Sequence, residues 1–361
     1  MTTPLPQAGR SGADSNAAPE ARTESVAQFD AAERGLTNRL QNALHAHPTA
    51  VPALVLVASV VLFGASVGER FFQPFNLSLV LQQVTIIGIV GVAQTLVILT
   101  AGIDLSVGAI MVLCSVVMGQ LAVQAGVPAP MAIAIGVLVG VAAGFVNGAL
   151  VALVRLPPFI VTLGTWNIFF ALNLWYSRSE TIRAQDIDAT APLLQVFGTA
   201  VNVAGARLTA GSIFMVLLFG LFWYILNWTA WGRHVYALGD DPDAARLAGI
   251  RTGRTLISVY VVAGMICALA GWVLIGRIGS VSPQAGQTAN LDSITAVVIG
   301  GTSLFGGRGS IFGTLLGALI VGVFRNGLAL SGVDVLWQDF AVGFLSIVAV
   351  AIDQWLRKIA A

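Results

Sequence analysis

Ten separate stretches of this chain are apolar for long enough, or nearly so, to cross a bilayer as helices, and that succession leaves few folds open. They cover residues 51–67, 79–99, 105–123, 129–154, 159–175, 212–228, 255–276, 293–306, 311–330 and 340–356. The stretch 293–306 is short and ends in glycines, which suits a half-helix or a steep re-entrant segment. Charged residues make up 10% of the chain and apolar ones 57%, with a mean hydropathy of +0.86. Ordinary soluble domains carry about 25% charged residues. A soluble fold of this length has no interior large enough for so much apolar surface; a bilayer removes the need for one. The expected fold is an all-α polytopic membrane protein of about ten transmembrane helices.

Basic residues then set the orientation, because they are held back on the cytoplasmic side. With the N-terminus inside, twelve Lys and Arg fall in inner segments, five in outer ones, and Arg325 lies within a span. Both termini and the loop 231–254 are therefore expected in the cytoplasm, and the loop 176–211 outside. The expected domains are a polar cytoplasmic tail, 1–50, and a transmembrane domain, 51–361. Residues 1–33 lack an apolar core and read as disordered. Leu36, Leu40 and Leu44 recur at helical spacing opposite Arg34 and Arg39, as in a helix lying on a membrane surface.

Several function classes drop out. The net charge is +1 and no basic cluster interleaves with aromatics, so a nucleic-acid partner is not expected. Cys114 and Cys267 sit in apolar runs and read as packing residues; the three histidines lack ligand spacing, so no metal is expected. The glycine-rich stretch 300–310 is not a phosphate loop, because Gly307 stands where that loop needs lysine. H-E-x-x-H, G-x-S-x-G and paired intramembrane acids are absent from the sequence, so no catalytic residues are assigned.

The loop 231–254 concentrates seven charged residues between two spans. Within it Asp241 can cap a short helix, Pro242 suits the first turn and Gly249 the end, which makes the segment a docking element for a soluble partner. Gly136, Gly140, Gly144 and Gly148 form one stripe along a span, as expected where another helix packs closely in lipid. Asp104 is the one carboxylate between Glu69 and Glu180; it either caps the helix that follows or lines a solute path. Gln82, Gln83, Gln94, Asn147, Thr162, Thr165, Asn167, Asn173, Thr295, Thr302 and Asn326 place neutral polar groups within spans or at their ends. Such a set suits a neutral hydroxylated solute better than an ion. A self-powered carrier for a neutral polar solute is the alternative, but it would be expected to hold intramembrane ionisable groups.

Four segments together resemble the membrane permease subunits of bacterial ABC importers for monosaccharides, the ribose, xylose, arabinose and fructose group. They are TAGIDLSVGAI (100–110), LPPFIVTLGT (156–165), GRHVYALGDDPDAARLAGI (232–250) and AVVIGGTSLFGGRGSIFGTLLGALIVGV (296–323), and the resemblance runs from about residue 50 to the C-terminus. It implies the inverted-repeat permease fold in a bacterial inner membrane. It also implies a permease homodimer, ATP bound on a separate ATPase subunit with no cofactor on this chain, and a periplasmic sugar-binding protein. Asp243, Ala244, Ala245, Arg246 and Gly249 resemble the family's ATPase-coupling signature, with Asp in place of Glu and without the trailing I-x-L-P. The implied translocation residues are Gln94, Asp104, Asn147, Thr162, Thr165, Asn167, Thr295 and Thr302, and the lean is to a fructose- or ribose-type solute.

Overall fold

Pro74, Pro130, Pro158 and Pro242 lie in the first turns of helices, Gly68 and Gly279 close others, and Thr or Ser stands at several of the remaining ends. The computed structural model describes residues 49–360, so the tail 1–48, with the disorder and surface helix expected there, lies outside the described residues. Helix α1 spans Ala50–Val67, a single turn α2 spans Glu69–Phe72, and α3 spans Pro74–Leu99. After an irregular segment, α4 (Val107–Gly119) runs on through a π-helical turn, Gln120–Gln124. Helices α5 (Ala129–Ala152) and α6 (Pro158–Ser177) follow, each preceded by proline and carrying one in its first turn, where the missing N–H is no loss. The 176–211 region folds as α7 (Ala184–Thr190), a 3₁₀ turn and a hairpin of β1 (Ala200–Val203) and β2 (Ala206–Thr209). Ala204 and Gly205 both have positive φ, the backbone a two-residue hairpin turn requires.

Beyond the hairpin come α8 (Ala210–Trp228), α9 (Ala230–Asp240), α10 (Pro242–Leu247), α11 (Thr252–Ile278), α12 (Ala289–Ile299), α13 (Ile311–Leu330) and α14 (Val335–Ala360). Among the described residues eight helices are long and apolar enough to span a membrane, against the ten expected. The other two apolar segments are shorter: α12, and 335–348 of α14. The sequence run 293–306 counted toward a span because apolar residues continue past Ile299, but the backbone leaves the helix there and Gly301, Gly306 and Gly307 take positive φ.

Helices α3, α4, α11 and α13 form the buried centre, and α1, α5, α6 and α8 present more of their surface to lipid. Close approach is bought with glycine. A Cβ on Gly140 would overlap Gly264 O of α11, and one on Gly144 would overlap Tyr260 O, so α5 and α11 meet backbone to backbone. Gly136 lies under Met118 of α4, and Gly148 lies 3.0 Å (from its would-be Cβ) from Ile257 Cα. The stripe therefore faces α4 and α11 of the same chain. On the other side of the centre, Asn76 of α3 and Asn326 of α13 exchange amide hydrogen bonds of 3.0 and 2.9 Å, and Thr95 bonds Thr314 at 2.7 Å. In a water-poor setting such pairs satisfy groups that would otherwise cost several kcal/mol each, on the order of 2–7.

Arg325 is not isolated within its helix. It pairs with Asp292 of α12 at 2.9 Å and Asp339 of α14 at 3.1 Å, joining three helices. Sequence reading placed both acids at the edges of spans, so this ionic cluster was not anticipated.

Candidate functional site

Two places in the fold carry functional residues: an exposed helix in the 231–254 loop and a buried polar cluster where α3 breaks. The loop is more ordered than sequence reading allowed. It holds two helices, since α9 precedes the expected short one. Thr229 Oγ1 caps α9 by accepting from Gly232 N at 3.1 Å, and Trp231 Nε1 ties it to Ser258 Oγ of α11 at 2.8 Å.

Helix α10 has the expected ends. Asp241 Oδ1 accepts from Asp243 N at 2.9 Å and Ala244 N at 3.0 Å. At the far end Gly249 N donates to Arg246 O and Ile250 N to Ala245 O, both at 3.0 Å, with Gly249 at φ 84°. These two bonds are those of a Schellman cap, and the positive φ is why glycine stands there. Nothing lies within 4 Å of a Cβ built on Gly249, so its requirement within the chain is conformational, not spatial. Ala245 is buried, whereas Leu247 is 87% exposed. Asp243 and Arg246 pair with each other at 3.2 Å on the exposed face. Leu247, an apolar side chain held out on a polar loop, is the member of this surface that motif matching missed.

The second place begins at Thr100, where α3 ends and Ala101 takes a φ of 59°. Asp104, 2% exposed, accepts from Ser106 N at 2.7 Å and Ser106 Oγ at 2.6 Å, and so orders the turn into α4. Asn147 Nδ2 donates to the same Ser106 Oγ at 2.8 Å. Thr162 Oγ1 donates to Ile103 O at 2.9 Å, and Asn290 Nδ2 to Leu105 O at 3.2 Å. Tyr260 Oη stands 3.0 Å from a Cβ built on Gly102. Four helices, α5, α6, α11 and α12, thus converge on 102–106, and the start of α12 meets the start of α4. Asn147 Oδ1, Asn290 Oδ1 and Tyr260 Oη are buried there without a hydrogen-bond partner. Unpaired buried acceptors and hydroxyls are uncommon and call for a reason.

The fold brings Asp104, Asn147 and Thr162 together, with Thr165 one turn along α6. It sets other candidates apart. Asn167 is exposed on α6 and its amide is spent on Leu163 O at 3.1 Å, so it belongs to the outer face of that helix and not to the cluster. Thr295 accepts from Ser346 Oγ of α14 at 2.9 Å. Gln94 is fully buried with neither end of its amide partnered, and Thr302 is buried with its hydroxyl unpaired beside Gly309. Ser106, Tyr260 and Asn290 were not assigned roles: Ser106 stands in the 100–110 segment but beside the more conspicuous Asp104, a tyrosine in an apolar run reads as packing, and Asn290 is far from Asp104 along the chain.

A helical bundle with eight spanning-length helices, an irregular connection between two of the central ones and an exposed capped helix on one loop has the build of a multi-pass membrane protein. The chain belongs to the family described as branched-chain amino acid transport system / permease component, whose model matches residues 76–350. It is 61% identical over 336 residues to a fructose import permease of Rhizobium meliloti, covering 93% of both chains. It is 39% identical to a ribose import permease of Bacillus subtilis, over 83% of this chain and 89% of that one. A D-allose transport system permease of Escherichia coli is 35% identical over 84% of this chain and 91% of its own. No solved structure matches the chain. The family description names amino acids and these relatives name sugars, so membership defines the type of machine and not its cargo.

Proposed function

We propose that the chain is the membrane permease subunit of an ATP-driven importer for a monosaccharide, fructose in the first instance. The observation that carries this reading is the 61% identity, along nearly the whole of both chains, to a fructose import permease. The chain works as a homodimer in an inner membrane with both termini in the cytoplasm. Helix α10 seats in an ATPase subunit through Asp243, Ala244, Arg246, Leu247 and Gly249, while Ala245 faces its own chain and anchors the helix. A periplasmic sugar-binding protein delivers solute to the opposite face. ATP stays on the ATPase, and its binding shifts the bundle between outward and inward access. Solute passes the break between α3 and α4, because irregular backbone inside a bundle is tolerated where it lines a path and offers polar atoms to a solute. The unpaired oxygens of Asn147, Asn290 and Tyr260 suit sugar hydroxyls, which donate and accept.

Reconstitution with the ATPase and binding protein of the same transport system tests this. Fructose uptake is expected to require ATP. Gly249→Val, which forces a β-branched residue to a positive φ at a cost of about 1–2 kcal/mol, is expected to lose ATPase association and uptake together. Arg246→Glu places like charges three residues apart, a penalty within the chain of only about 0.2–0.5 kcal/mol. A much larger loss of coupling would therefore report the partner's surface, where an unpaired buried charge costs about 2–5 kcal/mol. Uptake by this chain alone, driven by a proton or sodium gradient, would overturn the reading in favour of a secondary carrier.

A further inference from the structure

The end of α9 is wedged between two turns that are far apart in sequence. Leu99 O, at the break after α3, accepts from Gly307 N at 3.0 Å in the turn between α12 and α13. Gly239 of α9 lies directly on this bond: a Cβ there would overlap Leu99 O and stand 2.6 Å from Gly307 N. The contact is mutual. A Cβ on Gly306 would stand 2.7 Å from Gly239 O and 2.8 Å from Ala101 N, and one on Gly307 would stand 2.7 Å from Asp240 Cα. Three main chains therefore touch without a side chain between them. Tyr236, one turn earlier, donates from Oη to Gly309 O at 3.0 Å, and burial pushes its phenol pKa up, keeping it a donor.

What lies on either side of this contact gives it a role. Asp241, two residues past Gly239, caps α10. The first turn leads into Asp104 and Ser106, and the second carries Thr302. Side chains can change rotamer and absorb a small displacement; backbones in van der Waals contact have no such slack. We propose that Tyr236 and Gly239 are positioning residues that make the end of α9 a joint, through which displacement of α10 moves both polar turns together. This rests on the reading of α10 as the ATPase-docking helix.

The test is the number of sugars imported per ATP hydrolysed, measured in proteoliposomes holding the full complex. A residue that serves folding alone changes yield and leaves this ratio untouched. Tyr236→Phe keeps the ring and removes one hydrogen bond, and we expect complex assembly at wild-type yield with a ratio lowered by about fivefold, the worth of one such bond. Gly239→Ala is expected to abolish coupling, and if it fails to fold, Tyr236→Phe decides. An unchanged ratio in Tyr236→Phe, whatever its yield, or a normally coupled Gly239→Ala complex would overturn the joint while wild-type uptake upheld the transport reading. Absence of ATP-dependent uptake in the wild type would remove both.

Discussion

At the scale of single residues, Asp104 is the group on which the sequence spoke most clearly and the structure most specifically. An acid alone in more than a hundred residues of mostly apolar chain must be partnered, and Ser106 supplies both bonds. Asparagine keeps an acceptor at the same place, whereas leucine leaves the Ser106 N–H and hydroxyl buried with nothing to donate to, at about 1–3 kcal/mol for each group. Asp104→Asn is therefore expected to preserve folded yield and much of the uptake, and Asp104→Leu to lose yield; size-exclusion profiles and transport assays check both. Intact Asp104→Asn complexes without uptake would instead make the carboxylate itself part of the solute path. Asn147 and Thr162 were legible beside it as polar groups in apolar runs. Tyr260 was not, because a tyrosine in such a run looks like packing until its hydroxyl is found aimed at Gly102.

At the scale of elements, the glycine stripe of α5 shows what spacing predicts and what it omits. Spacing put four glycines on one face; only packing shows that the opposing surface is α11 and α4. Gly144→Leu must displace the carbonyl of Tyr260, which belongs to a helix backbone and cannot rotate away, so a penalty at or above the usual 1–3 kcal/mol (roughly) for overpacking is expected. Gly164→Leu, on α6 where nothing lies within 4 Å, is the matched control and is expected to be near neutral. Equal thermal stability of the two variants in detergent would show that α5 and α11 are not held by this contact. Helix α9 was the element that sequence reading passed over. Gly232 and Gly239 dilute its helical pattern, and both are there for contact: Gly232 against Leu226 O and Gly239 against Leu99 O.

At the scale of the whole molecule, α8 places the hairpin and α9 at opposite ends of one 19-residue span, about 28 Å apart at 1.5 Å per residue. With the proposed orientation, a cysteine at Asn202 in the hairpin is expected to react with a membrane-impermeant thiol reagent added outside, and one at Asp243 in α10 is not. Cys114 and Cys267 are buried, so the background is expected to be low. The opposite labelling pattern would reverse the topology and move α10 away from any cytoplasmic ATPase.

The sequence by itself determined that this chain lives in a bilayer, where most of its helices start and stop, and which loop carries the capped helix. Those are local matters: apolar length sets a span, and proline, Asp241 and Gly249 set helix ends through their own backbone geometry. The tertiary structure alone decided that the half-helix α12 meets the start of α4, that Arg325 has two acidic partners, and that Leu99, Gly239 and Gly307 share one contact. Such pairings join different elements of the chain, with Asn290 and Leu105 lying 185 positions apart, and no local preference encodes them. They arise because a polar group or a bare backbone in lipid must find its partner in whichever helix the packing brings alongside.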